Sequence, residues 1–285
     1  MTGNGEIKLV EVTDLHFTYG DQTRALKGLN LTIPKGSKTV LLGPNGAGKS
    51  TLLLHLNAIN LPQQGKVRVM GRETGPDTED WVREKVGLVF QDPDDQVFSA
   101  TVWDDVAFGP LNMGLDKHTV IHRVQDALSA VGMWDLREKP PHHLSFGQKK
   151  RVAIAGVMAM DPEVMILDEP TAYLDPQGQD LLFDILQEFH RQGKTLLVAT
   201  HDMDLAAEWA DHVIIVRDGR TMAEGGPELL IDASLMAAAS LRLPVVARIF
   251  QRLAETAHGT ATPAAAVPRT IDQAVAAIKE LAVRR

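Results

Sequence analysis

One short stretch limits the fold more than any other. Residues 43–51 read Gly-Pro-Asn-Gly-Ala-Gly-Lys-Ser-Thr, entered from Lys38-Thr39-Val40-Leu41-Leu42 and left through Leu52-Leu53-Leu54-His55-Leu56. A buried strand, a glycine loop and a helix in that order match the phosphate-binding pattern G-x-x-x-x-G-K-[ST] in full. Gly43, Gly46 and Gly48 let the backbone curl so that successive N–H groups face an anion, with Pro44, Asn45, Ala47 and Thr51 completing the cradle. The helix N-terminus adds further unpaired N–H groups. Lys49 is expected to reach the β- and γ-phosphate oxygens, and the Ser50 hydroxyl to ligate magnesium. The chain must therefore build an α/β core in which a strand delivers this loop, and a nucleotide with Mg2+ is the expected ligand.

A second carboxylate-bearing strand end completes the nucleotide chemistry. Val164-Met165-Ile166-Leu167 runs into Asp168-Glu169-Pro170. Asp168 is expected to hold magnesium, and Glu169 to polarise the water that attacks the γ-phosphate. Val86-Gly87-Leu88-Val89-Phe90 ends at Gln91, which can meet both the metal and the attacking water. Leu197-Val198-Ala199-Thr200 ends at His201, expected to donate to the γ-phosphate and hold Glu169, provided its strand lies beside the one carrying Asp168. Tyr19, one of two tyrosines, is expected to stack on adenine, with plain core packing as the alternative.

Around these motifs the pattern reads as two sheets and a helical insertion. Alternation in Ile7-Lys8-Leu9-Val10-Glu11-Val12 and again in Leu15-His16-Phe17-Thr18-Tyr19 predicts antiparallel edge strands. The nearly continuous apolar strands at 38–42, 86–90, 164–167 and 195–199 suit a mostly parallel sheet covered on both faces. His212 to Val216, followed by Arg217-Asp218-Gly219-Arg220, predicts a hairpin. Residues 92–160 are expected to form a helical subdomain, with helices at 120–131 and 148–160, and a further helix is expected at 178–192. The cassette is placed at 6–235, and a small helical extension at 236–285 with a linker at 258–268 and an amphipathic helix at 270–281.

Composition closes off several classes. The sequence contains no cysteine, which excludes disulfides and thiolate metal sites. Its formal charge of −8 argues against a nucleic-acid coat, and no nucleic-acid partner is expected. No apolar run is long enough for a bilayer span, and the first residues lack a secretory pattern, so a cytoplasmic protein is expected.

With these motifs in order, residues 6–235 resemble the ATP-binding-cassette (ABC) ATPases, the decisive addition being Leu144-Ser145-Phe146-Gly147-Gln148 and Thr171-Ala172-Tyr173-Leu174-Asp175. The resemblance implies a homodimer arranged head to tail. Ser145, Gly147 and Gln148 of one subunit would close on the nucleotide held by Lys49 of the other, with Asp175 at the same seam. Two positions depart from the family pattern: Phe146 stands where glycine is usual, and Tyr173 where a small residue is common. Residues 91–98 (Gln-Asp-Pro-Asp-Asp-Gln-Val-Phe) and 144–155 are similar to energy-coupling-factor importers, and Leu241-Arg242-Leu243-Pro244 to their cobalt and nickel branch, the CbiO/NikO-like ATPases. That implies a peripheral subunit on the cytoplasmic face of the cell membrane, beneath an integral membrane coupling protein and a metal-binding membrane subunit. Residues 91–98 would receive a coupling helix, with Val97 and Phe98 partly exposed. A vitamin importer built on the same cassette is the near alternative. A soluble cassette acting on DNA or the ribosome would carry a coiled-coil insertion or a second cassette, neither of which is present. A non-hydrolysing scaffold sits poorly with intact Lys49, Asp168, Glu169 and His201.

Overall fold

The computed structural model describes residues 7–256 and 267–283. The chain begins with β1 (Lys8–Thr18) and β2 (Arg24–Pro34), then β3 (Lys38–Leu42), the glycine loop and α1 (Lys49–Leu56). β4 (Gln64–Val69), β5 (Arg72–Glu73), α2 (Glu79–Lys85) and β6 (Val86–Val89) follow. The insertion carries α3 (Val102–Asn112), α4 (Lys117–Ala130) and α5 (Phe146–Ala159), with one 3-10 turn before α3 and two between α4 and α5. The chain returns through β7 (Val164–Asp168), α6 (Pro176–Arg191), β8 (Thr195–Thr200), α7 (Met203–Trp209), β9 (His212–Arg217) and β10 (Arg220–Gly225). It closes with α8 (Ala233–Ala238), α9 (Val245–Thr256) and α10 (Ile271–Val283).

Two sheets result: an antiparallel one in the order β2-β1-β4-β5 and a six-stranded one in the order β10-β9-β3-β8-β7-β6. In the second, β9, β3, β8, β7 and β6 run parallel and only the β10 edge is antiparallel. Every residue of β6, β7 and β8 is buried, because helices cover one face and the antiparallel sheet with α1 covers the other. One apolar cluster joins these strands to α3, α4, α5 and α6, and another fills the space between the two sheets around α1. A smaller cluster packs α7 and α8 behind β3 and β9.

The parallel register has a functional consequence. Leu42 pairs with Thr200, and Asp168 with Ala199, so the C-terminal ends of β3, β8 and β7 reach the same edge of the sheet. Loops at that edge are where open α/β sheets bind ligands.

Some local readings needed the tertiary structure. The two expected edge strands are a single interior strand, β1, paired with β2 on one side and β4 on the other. Its alternation is re-phased at Asp14 by a left-handed residue (φ 48°) and a register shift. β2 has no strict period of two, its buried Leu26 and Leu29 lying three apart before Leu31 and Ile33, and β4 buries only Val67 and Val69, too few to announce a strand. The β9–β10 hairpin turns at Asp218 (φ 51°) and Gly219 (φ 75°), the left-handed pair of a tight hairpin. Residues 257–266 lie outside the described residues, and with them most of the expected linker. In the extension, Val245, Ile249 and Leu253 of α9 and Ile271, Val275 and Ile278 of α10 are exposed, while Ala274 is buried. No described helix is long and apolar enough to cross a membrane.

Candidate functional site

The glycine loop leaves β3 under tight backbone constraint. A Cβ on Gly43 would lie 2.4 Å from the Val216 carbonyl oxygen, and one on Gly48 would lie 2.8 Å from the Ala25 oxygen. Gly46 and Gly48 also hold φ of 78° and 99°, conformations that side chains disfavour. Lys49 is buried, and its ammonium donates to the Gly43 carbonyl at 2.8 Å and to the Pro44 carbonyl at 3.4 Å, so it lies folded along the loop it belongs to. The loop, Tyr19, Arg24, Gln91, Asp168 and Glu169 line one cavity of about 320 Å³.

The acidic end of β7 enters this cavity from the side. Burial pushes the Asp168 carboxyl above its usual range, and Glu169 adds to the rise, while a hydrogen bond from Ser50 and the charges of Lys49 and Lys150 oppose it. Two crowded carboxylates beside a hydroxyl and a pocket are a donor set that fits a hard divalent cation. Magnesium bound with ATP would supply Lewis-acid charge there, and Ser50, Gln91 and Asp168 are the groups that would hold it.

Glu169 leaves the strand in a left-handed conformation (φ 41°), its N–H bonded to the Ala199 carbonyl at 2.9 Å. Its carboxylate accepts from the Thr200 hydroxyl at 3.2 Å and lies 3.0 Å from Nδ1 of His201. The neighbouring strands β7 and β8 thus bring Glu169 and His201 together, the adjacency on which the sequence reading of His201 depended. The His201 side chain itself is 73% exposed and does not line the cavity, which it meets only through Glu169. Tyr19 is half-turned toward the pocket, its hydroxyl 2.9 Å from that of Thr51 and its ring edge-on to Phe17.

Two contributors escaped sequence reasoning. Thr200 holds the second oxygen of Glu169, and nothing in a threonine ending a strand announces this. Lys150 is fully buried, and its ammonium donates to the carbonyls of Phe90 (3.2 Å) and Gln91 (2.5 Å), tying α5 to the loop after β6. Burial brings its pKa down to about 8, against the charges of Asp92 and Asp168, which hold it up. In the sequence Lys149-Lys150-Arg151 is a run of three cations, with nothing along the chain to mark its middle member as buried.

Ser145, Gly147, Gln148 and Asp175 lie elsewhere. They line a separate cavity with Phe146, Tyr173 and Leu174. Ser145 and Gln148 form a reciprocal cap at the start of α5: the Ser145 oxygen accepts from the Gln148 amide at 3.3 Å, and the Gln148 side chain accepts from the Ser145 N–H at 3.0 Å. Asp175 caps α6 through Gly178 at 2.7 Å. These residues thus have local work in helix capping, yet the Ser145 hydroxyl proton stays free to donate.

The 91–98 segment forms a different feature. Pro93, Asp94 and Asp95 make a 3-10 turn, and the Gln96 side chain satisfies the Phe90 N–H and the Leu88 carbonyl. Val97 is buried, contrary to the expectation of partial exposure, because the turn rolls it into the insertion's core. Phe98 is exposed and meets Phe108 edge to face at 5.3 Å. With Ile59, Arg83, Asp95 and Asp105 these rings line a groove of about 340 Å³.

Comparison with known proteins gives the family. The ABC transporter family profile matches residues 26–172. The energy-coupling factor transporter ATP-binding protein EcfA of Carboxydothermus hydrogenoformans is 52% identical over 242 residues, covering 85% of this chain and 90% of that protein. The solved structure of cbiO1 from Clostridium perfringens, part of the ABC transporter complex cbiONQ, superposes with a TM-score of 0.73 at 42% identity, covering 86% of this chain and 100% of that one. An ATP-binding cassette solved as a dimer in a post-hydrolysis state with ADP and Pi gives a TM-score of 0.69 at 28% identity, covering 76% of this chain and 98% of that one.

Proposed function

The chain belongs to the energy-coupling-factor branch of the ABC transporter ATPases, and from that premise we propose that it drives import of cobalt or nickel ions as a homodimer on the cytoplasmic face of the membrane. ATP hydrolysis is the activity of the family. The finer reading rests on one observation above all: the groups suited to grip a phosphate are divided between two cavities. Lys49, Ser50, Asp168 and Glu169 line one, while Ser145, Gly147, Gln148 and Asp175 line the other. A second copy turned head to tail would bring the two sets onto one nucleotide, which accords with a related cassette solved as a dimer.

In such a pair, Lys49 and the loop amides bind the β- and γ-phosphates, and Ser145 and Gly147 of the facing copy grip the γ-phosphate. Glu169, held by Thr200 and His201, takes the proton of the attacking water. Closure on ATP and release after hydrolysis move the helical insertion. The groove lined by Phe98 and Phe108 transmits that motion to a helix of an integral membrane coupling protein, which stands beside a metal-binding membrane subunit. The cargo reading draws support from the likeness to cbiO1, described as part of cbiONQ.

Purification from native membranes, followed by uptake assays with cobalt, nickel and vitamins offered in parallel, tests the assignment. Cobalt or nickel uptake that depends on Lys49 is the expected result. Uptake of a vitamin alone would move the chain to the vitamin-importing systems.

A further inference from the structure

The two positions that depart from the family pattern meet in space. The rings of Phe146 and Tyr173 pack edge to face, centroids 5.4 Å apart and planes at 74°. Phe146 opens α5, whereas Tyr173 sits in the loop between β7 and α6. Tyr173 gains little burial there, being 80% exposed, and its backbone holds a left-handed φ of 62°. A bulky residue that is both exposed and conformationally disfavoured is not explained by core packing. The two segments also lie close beside this pair, since a Cβ added to Gly147 would stand 3.5 Å from Leu174 Cδ2. The Lys150 ammonium stands 5.8 Å from the Phe146 ring centroid while bonding to the Gln91 carbonyl. The Phe146 ring thus lies between Tyr173 of the 171–175 loop and Lys150, whose ammonium holds the Gln91 carbonyl.

We infer that Phe146 and Tyr173 are positioning residues that lock the 145–148 turn to the 171–175 loop within one subunit, so that both enter the facing subunit's nucleotide site as a single piece. The second half of this inference rests on the composite site proposed above. The first half concerns one chain alone. Without the ring contact, each loop samples orientations of its own, and the fraction of subunits ready to dock falls. The apparent affinity for nucleotide in the closed pair falls by the same fraction. An edge-to-face pair has a strength equivalent to a factor of about 2–12 in such an equilibrium.

The test uses the full chain with Phe146→Leu, Tyr173→Leu, their combination, and Tyr173→Phe. Leucine keeps apolar bulk and the same backbone penalty at position 173. Amide hydrogen exchange without nucleotide reads the lock inside one subunit. The amides of Ala172 and Leu174 are bonded to the Glu169 and Thr171 carbonyls, and Phe146→Leu should speed their exchange about 2–12-fold. Tyr173→Leu should do the same for the Gln148 amide, the double variant should add nothing further, and Tyr173→Phe should match the parent. In steady-state hydrolysis the leucine variants should raise KM for ATP by a similar factor while kcat stays close to the parent value. Unchanged exchange in both single variants, or effects that multiply in the double variant, would overturn the lock. Should the parent chain hydrolyse ATP without pairing, the composite site falls, while the exchange data still decide the lock within a subunit.

Discussion

Glu169 departs from β7 in a left-handed turn that a strand-end residue adopts only under constraint, here the bond of its N–H to Ala199. The turn carries its carboxylate to Thr200 and His201, away from the strand's own line. Glu169→Gln keeps shape and loses the proton acceptor. It should leave ATP binding intact and slow single-turnover hydrolysis roughly 10²–10⁴-fold. Near-parental turnover would assign the water to another group. A second residue-scale effect lies behind the phosphate loop. His55 is fully buried on α1, edge-on to Phe17, with Nδ1 2.7 Å from the Thr51 carbonyl, and burial lowers its pKa despite that bond. The unfolded chain, with an ordinary imidazole near 6.5, therefore binds more protons as the medium turns acid. Stability should be lost as pH falls below about 6.5, and the loss should be smaller in His55→Phe. Urea midpoints on either side of that pH, for both proteins, make the comparison.

At the scale of elements, α3 and the 3-10 turn before it shape the surface offered to a partner. Thr101 and Asp104 cap α3, and Asp105 of its first turn accepts from the Phe98 and Ser99 N–H groups, pinning the Phe98 ring outward against Phe108. Asp94 already pairs with Lys149 at 2.5 Å, so reversing its charge would disturb the start of α5 as well as any docking surface. Asp95 is exposed and lines the groove, which makes it the cleaner probe. Asp95→Lys combined with Phe98→Ala should reduce recovery of the membrane coupling protein by at least about tenfold, the scale of losing one well-seated interface anchor. Nucleotide affinity of the isolated chain should stay unchanged. Full recovery of the complex with normal ATP-driven uptake would send the search to other faces of the insertion.

Across the whole molecule, the division of phosphate-binding groups between two cavities makes a prediction no single chain can satisfy. Lys49→Ala and Ser145→Arg each spoil both sites of a homodimer. In a mixed pair both lesions fall in one composite site and leave the other intact. Mixing the two inactive variants should restore hydrolysis, up to about half per mixed dimer if the sites fire independently, a matter of combining half-sites rather than of new contacts. Crosslinking with ATP establishes that mixed pairs form. Pairs that form and remain inactive, with Ser145 remote from nucleotide in their structure, would refute the composite site.

What could be read in the one-dimensional sequence was whatever depends on neighbours along the chain. The glycine loop between β3 and α1, the apolar run of β7 ending in Asp168-Glu169 and the Asp218-Gly219 hairpin all carry their constraint within a few residues, through backbone sterics and hydrogen bonds of short reach. The P-loop fold with its mainly parallel sheet followed from those segments and was found. Contacts across the chain were not legible. The His201–Glu169 pairing was legible only on the condition that β8 packs beside β7, and the Thr200 bond to Glu169 not at all. Lys150 reads as one more cation in a charged run until α5 buries it against Phe90 and Gln91. Val97 lies in a polar stretch, yet a 3-10 turn rolls it inward. Phe146 and Tyr173 are two separate oddities until their rings touch. In each case the deciding term is desolvation or packing against a distant segment, a free energy fixed by the fold's geometry, to which spacing along the chain gives no access.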